Sequence, residues 1–390
     1  MKSEKVKLES VCKRVVSGGT PKSTVSDYYN GSIPWLNTKE VHFNRIYSTE
    51  KTISDDGLKN SSAKWIPSHC VIIAMYGATA GNVAINMLPL TTNQACCNLE
   101  LDEEKADFRY IYYYLKYKYM DMSLLANGGA QQNLNAKIIK DFPISLPELK
   151  VQRKIASMLW SLDDKIAINN KINDNLEQQA EALFKAWFFD YLPFGGEMPP
   201  EWTNSTIEEL TSLVSRGIAP KYTEDSDQVV INQKCIRDHR IDLSLARTHT
   251  PKKINEKWLQ FGDLLINSTG EGTLGRTAQV WFNPEKMTVD SHVTIVRPKS
   301  KELIYYIGFW GLLHEREIES LHTGSTGQTE LPRERIKAME LVLPDQETLA
   351  KFNAIVQPMT ETIINNQDQN NKLAALRDAL LPKLMAGEIL

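Results

Sequence analysis

Apolar and polar positions follow two different rhythms along this chain. In residues 1–147 and 199–344 the apolar runs are short and bounded by Gly, Pro, Asn and Asp. The first stretch has "IPWLN", "CVIIAMYG", "NVAIN" and "ACCNLEL"; the second has "VVINQ", "DLLINS", "AQVWF" and "HVTIVRP". Such runs between turn formers predict β-strands. A helix-like piece follows in each stretch, "DFRYIYYYLKYKYMD" and "ELIYYIGFWGLLHER". After Pro147 the rhythm changes. Ile155, Leu159, Leu162, Ile166, Asn169, Asn173, Leu176, Ala180, Leu183 and Trp187 alternate steps of four and three. After Pro344, so do Phe352, Val356, Met359, Ile363, Asn366, Asn370, Leu373, Arg377, Leu380 and Leu384. A heptad seam sustained this long predicts two long helices paired as a coiled coil.

Each member of the second series lies 197 residues beyond its counterpart in the first, and so does Pro344 relative to Pro147. Upstream, "VSGGTPKST" (16–24) matches "VSRGIAPKYT" (214–223), and "GGAQQNLNAKIIKDFPISLP" (128–147) matches "TGSTGQTELPRERIKAMELVLP" (323–344). The chain is therefore a tandem repeat of one large unit. The predicted organisation is α+β. A β-rich domain (1–147) is followed by a central helix (148–190), a Gly- and Pro-rich linker (191–198), a second β-rich domain (199–344) and a C-terminal helix (345–390).

Bulk composition narrows the function only slightly. The 390 residues are 42% hydrophobic with a net charge of -3, and mean hydropathy is -0.35, as in a soluble protein. Residues 1–147 carry 17 Lys and Arg against 14 Asp and Glu, a weakly basic block. No apolar run of about 18 residues predicts a membrane span, and "MKSEKVKLES" lacks an apolar signal region, so a cytoplasmic location is expected. The cysteines Cys12, Cys70, Cys96, Cys97 and Cys235 form no CxxC pair and predict buried free thiols rather than a metal site.

"GEGTLG" (270–275) fits a nucleotide-binding glycine pattern, but β-like "AQVWF" follows where that motif needs a helix. It is expected to be a Gly-rich strand connection. No glycine motif for S-adenosylmethionine, nuclease carboxylate–lysine cluster or nucleophile elbow occurs, so the chain reads as a binding and assembly protein without catalytic residues.

The segments "NGSIPWLNTKEV" (30–41), "VIIAMYGATAGNVAI" (71–85), "TTNQACCNLEL" (91–101) and "GGAQQNLNAKIIKDFPISLPELKVQRKIASMLWSLDDKI" (128–166) carry a resemblance to the specificity subunit of type I restriction–modification enzymes. The resemblance covers nearly the whole chain. It implies that each β-rich part is a target recognition domain reading one half of a bipartite, asymmetric double-stranded DNA target. It also implies that the helices pack antiparallel and dock two modification subunits. Those subunits would carry adenine methylation with S-adenosylmethionine. Two restriction subunits would add ATP- and Mg-dependent translocation and cleavage. No cofactor is expected on this chain itself.

Base reading needs donors and acceptors on loops that reach a groove. On that ground the candidates in the first domain are Thr20, Lys22, Ser23, Asn37, Lys39, Tyr76, Asn82 and Gln131. Those in the second are Lys221, Tyr222, Gln233, Lys234, Arg237, Ser268, Arg276 and Gln328. Trp35, Trp65, Trp258 and Trp281 are expected in the core. An antiparallel seam would set Ile155 against Leu384, Ile166 against Leu373, Trp187 against Phe352, Asn169 against Asn370 and Asn173 against Asn366. Arg377, opposite Leu162, would extend its charged tip outward. Two other readings compete. A standalone methyltransferase or nuclease lacks its motifs, and a coiled-coil scaffold without DNA leaves two large β-rich domains without a role.

Overall fold

A computed structural model describes residues 3–126, 133–251, 253–270, 272–324 and 329–389, and it divides into two units. The first comprises residues 1–167 and 370–390, the second residues 168–369.

In the first unit a five-stranded sheet has the order Cys12–Ser17, Cys96–Leu101, Val71–Ala74, Val83–Asn86, Asn44–Ile46. Its central strands are buried on both faces, which is why they read as continuous apolar runs rather than alternating ones. One face packs on the helix Phe108–Tyr117, whose Tyr110 and Tyr113 are fully buried. A four-stranded sheet is built from Lys51–Ile53, Tyr29–Leu36, Leu90–Thr92 and Trp65–Ile66. Trp35 is buried as expected, but Trp65 is not. It stands 44% exposed on an edge strand.

The second unit repeats the central order with Thr211–Arg216, Val293–Pro298, Leu264–Asn267 and Thr277–Gln279. Beside it lies a three-stranded sheet of Arg247–Thr248, Val229–Ile231 and Met287–Val289. "GEGTLG" joins Leu264–Asn267 to Thr277–Gln279, a strand connection whose Gly270 and Gly275 take positive φ (101° and 85°).

The repeated phrase before each long helix forms a clasp. Asn135 caps the short helix Ala136–Asp141 by accepting from the Ile138 N–H. The strand Pro143–Pro147 then pairs antiparallel with Ser3–Lys7. In the second unit Arg333–Lys337 is followed by Glu340–Leu343, paired with Thr203–Thr206. Each β-rich part is thus closed by a two-stranded ribbon joining its first strand to its last.

The first long helix runs Leu149–Phe188 and the second Gln346–Ala386. In the first unit Ile155 and Leu159, from the start of the former, share a core with Leu381, Leu384 and Met385, from the end of the latter. Leu380 packs at its edge. In the second unit Ala180, Phe184 and Phe188 share a core with Leu349, Phe352 and Val356, and Leu183 packs against it. Start meets end in both units, so the pair is antiparallel. The Trp187 and Phe352 rings lie 6.0 Å apart. Asn366 Nδ2 donates to Asn173 Oδ1 at 2.8 Å. Ile363 is buried, while Ile166, Leu176, Asn370 and Leu373 are half-buried.

Asn169 is fully buried and donates to Gln369 Oε1 at 2.8 Å. Two details depart from the seam as read. Arg377 does not reach outward; it donates to Asp163 Oδ1 at 2.7 Å, because Tyr113 and Arg377 converge on that carboxylate. Phe184 and Phe188, outside the heptad frame, are more buried than Trp187, because they also pack on Tyr306 of the adjoining β-rich part.

Candidate nucleic-acid interface

Four turns of the first unit converge on one face. The first is residues 18–23. A Cβ at Gly18 would lie 2.1 Å from Thr92 O, so glycine lets this turn press onto residues 92–93. Gly19 N–H donates to Thr92 O (2.8 Å) and Gly19 O accepts from Trp35 Nε1 (2.9 Å). Thr20, Lys22 and Ser23 then stand exposed, with the Thr20 hydroxyl bonded to Gln94. The second turn follows Asn37, whose side chain accepts from Lys39 N–H and whose own N–H donates to Glu40 (3.0 Å), a capping box. Asn93 Nδ2 donates to Asn37 Oδ1 at 3.3 Å, tying the second turn to the fourth, residues 93–95. The third turn spans residues 76–82. Thr79 donates to Thr38 O (3.2 Å), and Asn82 Nδ2 to Val41 O (3.0 Å).

Asn37 Oδ1 and Asn82 Nδ2 therefore brace these turns against one another. Lys39 is exposed and paired with Glu50, which raises its pKa. Tyr76 is 40% exposed on this face and bridges to Asn133. Gln131 lies outside the described residues.

The second unit builds the same four turns. Gly217 presses on residues 289–290, where a Cβ would lie 1.9 Å from Val289 O. Asn232 caps its turn by accepting from Lys234 N–H at 2.9 Å, as Asn37 does for Lys39. Gln233 O accepts from Asn267 Nδ2 (3.0 Å) and Gln233 Oε1 from the Thr269 hydroxyl (3.2 Å). Thr269 Oγ1 lies 2.7 Å from His292 Nδ1, and His292 N–H donates to Asp290 at 2.9 Å. Burial pushes the Asp290 carboxyl up, against that bond.

Lys221, Lys234 and Arg237 are exposed here; Arg276 is half-buried and donates to Gly272 O at 2.8 Å. Ser268 is a correction. It is fully buried, with its hydroxyl 2.6 Å from Thr294 Oγ1, and does not reach the face. Gln328 lies outside the described residues. Trp258 and Trp281 are half-buried.

Burial raises all five thiols, to about 12 at Cys12, Cys70 and Cys97. No cluster of metal-ligating side chains occurs among the described residues. No helix of the described residues is long and apolar enough to cross a membrane.

Comparison with known families decides what these two faces belong to. The model for "Type I restriction modification DNA specificity domain" matches twice, over residues 1–178 and 199–375. The chain belongs to this family. Its similarity to the type I restriction enzyme MjaIX specificity subunit of Methanocaldococcus jannaschii is 31% identity, covering 96% of this chain and 91% of that one. Similarity to the HindI specificity subunit of Haemophilus influenzae is 22%, covering 70% and 74%. The crystal structure of the type I restriction–modification S subunit from M. genitalium shares the fold, with a TM-score of 0.63 at 16% identity, covering 98% of this chain and 96% of that chain.

As a type I specificity subunit, this protein supplies DNA sequence recognition. No candidate base reader of the sequence falls in the turn of residues 93–95 or in its counterpart, residues 290–292, both of which adjoin the predicted turns. Their signal was present: "TTNQA" and "TVDSH" align at the repeat offset and differ at Thr92/Val289, Asn93/Asp290, Gln94/Ser291 and Ala95/His292.

Proposed function

We propose that each unit reads one half of a bipartite DNA target with its four-turn face. The two halves differ because the faces carry different side chains. The observation that carries this reading is the pairing of constant braces with variable tips. Gly18 and Gly217, and Asn37 and Asn232, do the same structural work in the two units. At matched places on the turns stand Tyr76 or Thr269, Gln94 or Ser291, and Ala95 or His292; Tyr76, Gln94 and His292 are exposed and the others half-buried. Base edges are distinguished by the donor and acceptor pattern set against them, so such differences select different sequences.

The long helices, on this reading, dock two identical modification subunits at equivalent stretches. Met158 and Ile355, 197 residues apart, are exposed to nearly the same degree (42% and 41%), an apolar tip at the same place on each helix. The chain itself is non-catalytic. Adenine methylation and S-adenosylmethionine belong to the modification subunits, and ATP- and Mg-dependent cleavage to two restriction subunits.

The test is to map methylated adenines in a genome carrying the complete system, and to assay the lone chain for methyl transfer. Two unlike specific halves around an unspecific gap, with an inactive lone chain, are expected. A continuous or palindromic target, or methyl transfer by the lone chain, contradicts the reading.

A further inference from the structure

We infer that Arg247, held over the Tyr222 ring, is a specificity-determining residue of the second unit and reads a guanine. The inference rests on the reading that this unit recognises one half-target. The Arg247 guanidinium carbon lies 3.7 Å from the centroid of the Tyr222 ring, and both residues are exposed.

Neither sits on a free loop. Arg247–Thr248 is a strand of the three-stranded sheet, with Arg247 opposite Val230. Tyr222 bridges to His249. Thr223 N–H donates to Thr248 O (3.2 Å) and Thr250 N–H to Lys221 O (2.7 Å). The turn that begins at Gly217 is thereby stitched to the strand carrying Arg247. Ile218 bridges to Asp290, which places the pair beside the four-turn face.

Stacking restrains the long arginine side chain before any ligand arrives, and it leaves the N–H donors around the guanidinium edge pointing outward. No salt bridge or hydrogen bond from that guanidinium occurs among the described residues. A planar fork of free donors on a fixed platform matches the O6 and N7 acceptors of guanine in the major groove. Glu224 and Asp225 follow Tyr222 in the chain, and Asp227 is paired with Lys286. Asp290, whose carboxylate acts on the Tyr222 hydroxyl, also sets negative charge near the stack, which favours a base edge over a phosphate as the partner.

The experiment uses the specificity subunit assembled with its modification subunits. Methylation is measured on duplexes in which each base pair of the target is changed in turn, for wild type, Arg247→Ala and Arg247→Lys. Both variants are expected to lose about tenfold or more of discrimination at one G·C pair, while the other half-target is read as before. Tyr222→Phe keeps the platform and should read normally, whereas Tyr222→Ala should relax the same base pair.

Equal weakening on every duplex, with a shallower salt dependence, would make Arg247 a phosphate contact and overturn the inference. So would unchanged discrimination in Arg247→Ala. Exchanging residues 199–344 with those of a relative separates the two levels. If the exchange switches one half-target while Arg247→Ala relaxes none, the inference alone fails. If the exchange switches neither half, the underlying reading fails.

Discussion

Beside the central sheet, the two units place different chemistry at matched positions. In the first, Cys70 is buried ahead of the strand Val71–Ala74, and Glu100 on the neighbouring strand pairs with Arg14 at the surface (3.0 Å). In the second, those places hold Asp263 and Arg297, buried and joined by two hydrogen bonds of 2.8 and 2.7 Å. Arg297 also donates to Glu256 O (2.9 Å) and Trp258 O (2.6 Å). The buried pair therefore ties down a loop around the short helix Asn255–Lys257. One sheet order accepts either solution. What differs is the surface loop that each solution anchors, which is how a repeat diverges outside while its frame persists.

The sharpest way to break this comparison is to remove one partner of each pair. Asp263→Asn leaves Arg297 buried without its counter-charge and should cost about 3–5 kcal/mol in chemical denaturation. Glu100→Gln removes a surface pair and should cost under about 1 kcal/mol. Equal costs would mean that the two pairs are energetically alike and the comparison is wrong.

The long helices sharpen it next. Asn173→Leu strands the Asn366 amide in the second unit and should cost about 1–3 kcal/mol. The double change Asn173→Leu/Asn366→Leu should recover most of that loss, because both polar groups are then gone. A double variant less stable than the single would show that these amides do more than satisfy each other.

A smaller effect than at the helix seam lies at the start of the second long helix. Partial burial pushes the Asp345 carboxyl up, but bonds from Thr348 and from Trp202 Nε1 outweigh it and hold its pKa at about 2. A depressed folded value stabilises the fold fully above about pH 4, and the contribution is lost as pH falls through about 2. Asp345→Ala should cost about 1 kcal/mol at neutral pH and progressively less toward pH 2. A penalty unchanged by acid would remove the carboxylate from the explanation.

Much of the fold was legible because it rests on local rhythm. "CVIIAMYG" and "DLLINS" contain the strands Val71–Ala74 and Leu264–Asn267, and the heptad steps mark both long helices. What escaped depends on partners distant in sequence. Phe184 and Phe188 fall outside the heptad frame because part of their burial comes from Tyr306, which no local period reveals. Ser268 looks like a turn residue until Thr294 closes over it. The faces were legible as turns carrying polar tips. The ties between the turns were not: Asn37 Oδ1 accepts from Asn93 and Asn82 Nδ2 donates to Val41 O, bonds between distant segments that no local pattern reveals.

The central claim is that the two faces read independently on a common frame. Its most direct test replaces residues 1–140 with the equivalent part of a relative of different specificity and maps methylated adenines with the complete complex. The account predicts that one half of the target changes to the donor's sequence and the other half stays as it was. A change in both halves, or in neither, would contradict it.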